Sequence, residues 1–378
     1  MHEGPLRGLR FVEMAGIGPA PFAAMVLADL GAEGVRIESP KGGLALGDPT
    51  RDVTRRGRAR VVVDVRQDAG RELVLDLVGA ADLLIEGFRP GVMERLGLSP
   101  QACLERRPSL VYGRMTGWGQ EGPWARAAGH DLDYIAIAGA LAHIGRRGQP
   151  PTPPLNLVGD YGGGAMLLLV GVLAALWEAQ RSGVGQVVDA AMVDGVALLM
   201  SLFHSMSAQD AWTEEYGVNL LDSGAPFYDV YRTADDRWLA VACLEPQFYA
   251  EWLRLAGLAH AELPSQYDVP SWPVLRERFA EVVASRTRDE WAAIVDGTDA
   301  CVAPVLTMAE APSHPQLAAR GTFVSVDGML QPAPAPRFSR TPSGLIGPIS
   351  SADPAALAAW GIDGARIAAL AADGVIGS

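Results

Sequence analysis

The chain has 378 residues, 49% of them hydrophobic and 20% charged, a globular composition long enough for about two domains. Its formal net charge of −13 and pI near 4.9 argue against nucleic acid as a partner, because a phosphate backbone selects basic surfaces. Three widely spaced cysteines, Cys103, Cys243 and Cys301, suggest neither a disulfide framework nor a metal-ligand spacing.

The first residues carry no basic region followed by an apolar core, so no signal peptide is expected. Residues 9–14 read as a strand, Gly16 and Gly18 turn the chain, and residues 21–30 read as a helix. Strands are expected at 34–38, 60–65, 82–86 and 110–115, with a helix at 71–80. Short strands alternating with helices imply an α/β fold with a mainly parallel, helix-covered sheet. The longest apolar run, 165–177, stops at Glu178. It is too short to cross a bilayer and is expected to be a buried helix. A cytoplasmic protein without a membrane partner follows as the expectation.

After residues 185–189 the texture changes. Residues 192–206 are apolar and helix-like, and 225–244 alternate around a turn at 234–236, which suggests an antiparallel hairpin. The expected organisation is a large domain over 1–200, completed by 330–378, and a small domain over 225–310. Segments 201–224 and 311–329 serve as linkers. A proline-rich loop at 331–336 precedes a tail, 355–372, of two short helices expected to return to the first domain.

Gly16, Gly18 and, near twenty residues on, Glu38 almost make a dinucleotide fingerprint, but Pro21 replaces the third glycine. A tight turn into a helix with proline near its start is the expectation here, and a nicotinamide enzyme is the alternative. Arg51, Arg55, Arg56, Arg58 and Arg60 crowd one stretch, followed by Arg66. They suit an anion or a solvated loop, and spacing does not choose between them.

His130 sits between Gly129 and Asp131, and Asp160 precedes Gly162, Gly163 and Gly164. Histidine changes charge near neutrality, so His130 is a candidate general base. Taken alone, a loop histidine before a helix capped by Asp131 is the plainer account. Asp160 reads as a second proton acceptor or as a helix cap, and a capped aspartate is a weak base unless a dry pocket raises its pKa. The triple glycine needs a reason, and close approach of backbone to a ligand is one. Glu245 ends a strand; it reads as a surface glutamate or as an orienter of a histidine. Two acceptors facing one carbon can take a proton from one side and return it on the other, which inverts a stereocentre.

At these residues the chain resembles the family III CoA-transferase superfamily, and within it the branch that epimerises 2-methylacyl-CoA thioesters. The resemblance runs through Ala128 to Asp131 with Tyr134, residues 154–157, Asp160, residues 185–190, 224–228, 245–249 and 299–302. It implies a Rossmann-like large domain with a parallel sheet, a smaller α+β domain, and two subunits interlocked as a homodimer. The active site would lie between the large domain of one subunit and the small domain of the other. His130, paired with Glu245 of the partner subunit, would be one base and Asp160 the other. The CoA part of the substrate would run along Val63, Asp64, Val65 and Arg66, past Arg95, and over Gly129, Asp131, Leu132, Asp133 and Tyr134. Backbone N–H groups near Gly129 to Asp131 would face the enolate oxygen. Met192, Met200 and Met206 resemble part of a methionine-rich acyl surface, with core packing as the plainer explanation. The resemblance implies no metal and no separate cofactor, since CoA belongs to the substrate.

Some positions depart from the pattern. Ser39 stands where an arginine is frequent, a lysine before Arg60 is missing, and Ser223 replaces a usual glycine. The rival within the superfamily is a CoA-transferase, with Asp160 as acyl-accepting nucleophile. Transferases typically carry an aromatic residue at the position of His130 and a glycine loop near that of Glu245, so this sequence favours proton transfer. A CoA-binding protein without turnover is the third reading.

Overall fold

A computed structural model describes residues 3–344 and 346–377. In chain order the first half runs β1 (Arg10–Met14), α1 (Pro19–Asp29), β2 (Glu33–Glu38), β3 (Arg58–Val63), α2 (Asp68–Gly79), β4 (Leu83–Glu86), α3 (Val92–Arg95), α4 (Pro100–Arg106), β5 (Val111–Thr116) and α5 (Asp131–Ile137). A π-helical stretch, Leu157–Met166, continues into α6 (Leu167–Ser182), followed by β6 (Val187–Ala191), α7 (Met192–Leu199) and α8 (Ser201–Ser207). Then come β7 (Tyr228–Arg232), β8 (Trp238–Ala242), α9 (Pro246–Leu255), α10 (Trp272–Val283), α11 (Arg288–Val295) and β9 (Val302–Pro304). The chain ends with α12 (Pro315–Ala319), the hairpin β10 (Phe323–Val326) and β11 (Met329–Pro332), α13 (Gly364–Ala372) and β12 (Ile376–Gly377).

Two compact units emerge: Met1–Ala138 with Leu155–Leu199 and Ala319–Ser378, and Gly139–Pro154 with Met200–Ala318. The first holds a seven-stranded sheet in the order β12-β3-β2-β1-β4-β5-β6, parallel except for β12. All four residues of β4 and all six of β5 are buried, as expected of strands covered on both faces. One face packs on α2, α4 and the C-terminal tail through Val12, Val35, Leu73, Leu77, Leu84 and Leu357. The other packs on α1 and α6 through Phe11, Ala24, Leu27, Ile85, Leu168 and Val172. The tail therefore returns to this unit, where β12 pairs with β3.

The second unit has an antiparallel sheet, β7-β8-β9, packed on α9, α10 and α11 through Phe227, Leu239, Val241, Trp252, Phe279 and Trp291. The expected hairpin is β7 and β8, with Asp236 at positive φ (59°) in its turn.

Some elements differ from the sequence expectation. The third strand begins and ends two residues early, because Asp64 turns the chain by accepting the Arg66 backbone N–H (3.2 Å). Residues 187–191 form a sixth strand, and the helix expected at 192–206 breaks at Met200 into α7 and α8. The helix expected at 165–177 is longer. With its π-helical start it spans 26 residues, long and apolar enough to cross a bilayer, and half of its most apolar 18-residue window is buried inside the chain, as in the core helix of a globular fold.

Candidate active site

The strand order reverses between β1 and β4, which opens a crevice beyond the C-terminal ends of the parallel strands. The chain returns to that side through the loop after β5 and there presents His130. Gly117 and Gly129 are glycines by necessity, since a side-chain carbon would stand 2.1 Å and 2.8 Å, respectively, from the Tyr134 ring. Trp118 packs edge-on against both Tyr134 and Trp124, and the Tyr134 hydroxyl donates to Gly129 O (2.5 Å).

His130 is itself the N-cap of α5, in extended conformation (φ −134°, ψ 174°). Its backbone N–H donates to the Asp133 carboxylate (2.9 Å), and its imidazole is exposed. The cap is thus His130 and not Asp131, which lies one residue into the helix. Asp131 is buried, and its Oδ2 accepts the backbone N–H of Asp160 (2.7 Å). A side-chain carbon on Gly159 would stand 2.5 Å from that oxygen. Asp131, Asp133 and Tyr134 therefore spend polar groups on holding the loop, and Leu132 is left exposed between them.

Asp160 is not a helix cap. It is the fourth residue of the π-helical stretch, where Tyr161 N–H reaches Asn156 O (3.3 Å) in the wide π register. The cause is packing against α7. A side-chain carbon on Gly195 would stand 1.8 Å from Gly163 O, and one on Gly163 would stand 2.8 Å from Val196 N. Gly163 serves helix–helix contact, a reason for glycine other than close backbone approach to a ligand. Burial pushes the Asp160 carboxyl above its ordinary value. Asn156 opposes this by donating to Oδ2 (3.1 Å), Asp131 reinforces it with its negative charge, and a protonated His130 opposes it. His130 and Asp160 thus lie within electrostatic reach of each other. Burial also pushes the Tyr134 phenol up to about 12, with Asp160 and Asp133 adding to it.

The first turn also reaches this carboxylate. Gly18 has φ 71°, and a side-chain carbon there would stand 3.1 Å from Asp160 Oδ2. Pro19 and Pro21 lack the N–H groups that a helix N-terminus offers a pyrophosphate, so the turn is a poor dinucleotide cradle. Four arginines of the cluster are equally occupied, while Arg51 is exposed. Arg55 and Arg60 pair with Glu38, Arg56 with Asp29 (2.5 Å), and Arg58 with Glu13 (3.0 Å). Burial alone would raise the Glu38 carboxyl, but Arg60, Arg55 and Arg36 hold it down to about 2. The cluster is mostly buried structure, neither an open anion site nor a solvated loop.

Val63 is buried at the end of β3 beside β12. Asp64 and Arg66 pair with each other (2.8 Å) next to Val65, and Arg66 holds the Asp64 carboxyl down to about 2. Arg95 is exposed at the end of α3. Glu245, in the second unit, is the exposed N-cap residue of α9. Met192 is core, while Met200 and Met206 are half-buried in the second unit. Sequence reasoning assigned no role to Asn156, although its spacing from Asp160 is the one that joins side chains on a helix face. It also missed Gly18 as a neighbour of Asp160. Among the described residues, no group of three or more His, Cys, Asp or Glu side chains is placed to hold a metal ion. The site is chemically a histidine and a raised carboxyl within electrostatic reach of each other.

Comparison with known proteins shows the family of the chain. The profile of CoA-transferase family III matches residues 6–356. The chain is 45% identical over 339 residues to alpha-methylacyl-CoA racemase of Mus musculus, covering 89% of this chain and 87% of that one. It is 43% identical over 341 residues to alpha-methylacyl-CoA racemase of Homo sapiens, with the same coverage of both. The crystal structure of a CAIB/BAIF family protein from Brucella suis superposes with a TM-score of 0.80 at 24% identity, over 94% of this chain and 99% of that one.

Proposed function

The chain belongs to CoA-transferase family III, and we propose that it epimerises the α-carbon of 2-methylacyl-CoA thioesters with His130 and Asp160 as opposed bases. It is an enzyme of the isomerase class. The observation that carries the mechanism is the joint placement of His130 and Asp160 by α5, whose first residue, Asp131, is bonded to the Asp160 backbone.

The thioester acidifies its α-proton, so a weak base suffices to remove it. One base takes the proton while the other, already protonated, returns one to the opposite face of the enolate. A carboxyl raised above its ordinary value is a better match for that exchange than a free aspartate. The enolate oxygen is stabilised by the backbone N–H groups of Asp131 and Leu132 at the start of α5. CoA lies along Val63 to Arg66, past Arg95, to the loop from Gly129 to Tyr134. No metal or redox group is required by this chemistry.

The functional unit in this reading is a homodimer, in which Glu245 of the partner subunit orients His130. Supporting it, Leu132 and Ile137 of α5, Met166, Val170 and Trp177 of the long helix, and Leu199 of α7 are exposed apolar side chains on the elements that build the site. A CoA-transferase with Asp160 as nucleophile is the second reading, favoured only by the breadth of the family.

Incubation of one epimer of a 2-methylacyl-CoA in deuterated water separates the two. Epimerisation with α-deuterium incorporation is the expected result. Neither, with CoA passing to an added carboxylate instead, would replace the racemase by the transferase.

A further inference from the structure

Beneath the first turn, β1, β2 and β3 each place one charged residue in the interior. Glu13, Arg36 and Arg58 have relative exposures of 0%, 5% and 1%. Both oxygens of Glu13 are engaged, Oε1 by Arg36 Nη1 and Oε2 by Arg58 Nε (3.0 Å). The arginines then reach the turn at both ends. Arg36 Nη2 donates to Gly16 O (3.2 Å), and Arg58 Nη2 donates to Pro21 O (3.3 Å). Their remaining donors go to Glu38 (3.0 Å), Arg56 O (2.5 Å) and Thr54 O (2.6 Å). Between the two held carbonyls lies Gly18, whose backbone faces Asp160 Oδ2. Pro19 and Pro21 stiffen the same segment by fixing φ.

We propose that Glu13, Arg36 and Arg58 are positioning residues for Asp160: a buried ionic clamp that seats the turn from Gly16 to Gly18 against the carboxylate and keeps water from that side. The inference rests on the reading of Asp160 as one of the two bases. Stability alone is a weak account of such a cluster, because well-packed apolar residues generally replace buried ion pairs without loss. A clamp explains what apolar residues would not supply, which is directed donors to Gly16 O and Pro21 O. The charges that reach Asp160 come from α5, namely Asp131 and His130, with Tyr134 on the same helix sensing Asp160 in turn. The turn and α7 bring backbone and apolar atoms, Gly18 and the pair Gly195 and Val196. Loosening the turn therefore acts on Asp160 through water access.

The test uses the full-length chain with Arg36→Lys, which keeps charge and length but loses the planar fork, and Glu13→Gln. Arg58→Lys takes their place if neither folds. Carbon-13 carboxyl NMR, with the Asp160 signal assigned through Asp160→Asn, follows its titration directly. The clamp predicts that Asp160 titrates at lower pH in the variants. It predicts that kcat falls about tenfold or more, since small misplacements of a catalytic group are costly, while KM stays within about twofold. In the direction where Asp160 takes the proton, the acid limb of the pH profile moves to lower pH. Folded variants with unchanged Asp160 titration and unchanged kcat overturn the clamp. Inversion at the parental rate in Asp160→Asn overturns the two-base reading instead, and leaves the effect of the clamp on the titration still measurable.

Discussion

Two glycine-rich segments close on Asp160, and they contain glycine for different reasons. At the turn from Gly16 to Gly18 the backbone itself demands it, because Gly18 has φ 71° as well as a carboxylate oxygen in front of it. In the π-helical stretch the conformation is ordinary for any residue, and the demand comes from α7, whose Gly195 meets Gly163 backbone to backbone. One wall of the site is set by a dihedral angle and buried donors, the other by contact distance. The first responds to electrostatics, and the second is rigid. Glycine count therefore says little about a site until the cause of each glycine is known.

Gly195→Ala should break the contact wall. Its new carbon would stand 1.8 Å from Gly163 O, so one helix must move, with a loss on the order of 3 kcal/mol or more in denaturant unfolding. A loss no larger than that of an ordinary surface change would show that the two helices have slack. Gly18→Ala should cost less, about 1–2 kcal/mol for its strained positive-φ backbone, because the nearest atoms belong to a side chain that can turn. Here catalysis should fall as well, since the atom displaced is Asp160 Oδ2. Thermal unfolding and epimerisation rates measured together on this variant separate the two effects.

Ser223 isolates the dihedral term. It stands at φ 72° in a loop where Arg276 donates to its carbonyl (2.7 Å), so Ser223→Gly should raise stability by about 1 kcal/mol. No gain would mean that the serine carries a compensating interaction. The smallest effect is the stability cost of Asp160 itself. Its pKa is raised on folding, so the folded chain keeps that proton to higher pH than the unfolded chain does. Stability is then greatest below the unfolded value, declines as pH rises towards the folded one, and levels off above it. Asp160→Asn should remove this slope and unfold at a slightly higher temperature than the parent at neutral pH, while losing activity.

Much of the α/β layout was legible, because β1, β2, β4 and β5 are short strands that each carry buried apolar residues, bounded by turn residues. The sixth strand was not, since Val187 and Asp189 leave it partly exposed and without a clear apolar pattern. The candidate bases were visible as residue types, and their partners were not. Asp131 meets Asp160 across 29 positions and Arg58 meets Glu13 across 45, distances over which spacing carries no signal. The π register of Asp160 is imposed by α7, so local propensity predicted a cap instead. The arginine cluster read as an anion site or a solvated loop because its acidic partners lie on other elements of the fold.

The central claim is that His130 and Asp160 serve opposite faces of one carbon. The direct test is α-proton exchange from each pure epimer of a 2-methylacyl-CoA in deuterated water, with His130→Asn and Asp160→Asn beside the parent. The parent should exchange and invert both epimers. Each variant should lose inversion and retain slow exchange, without inversion, for one epimer only, and the retained epimer should be opposite in the two variants. Inversion at the parental rate in either variant, or loss of exchange from the same epimer in both, would contradict the two-base account.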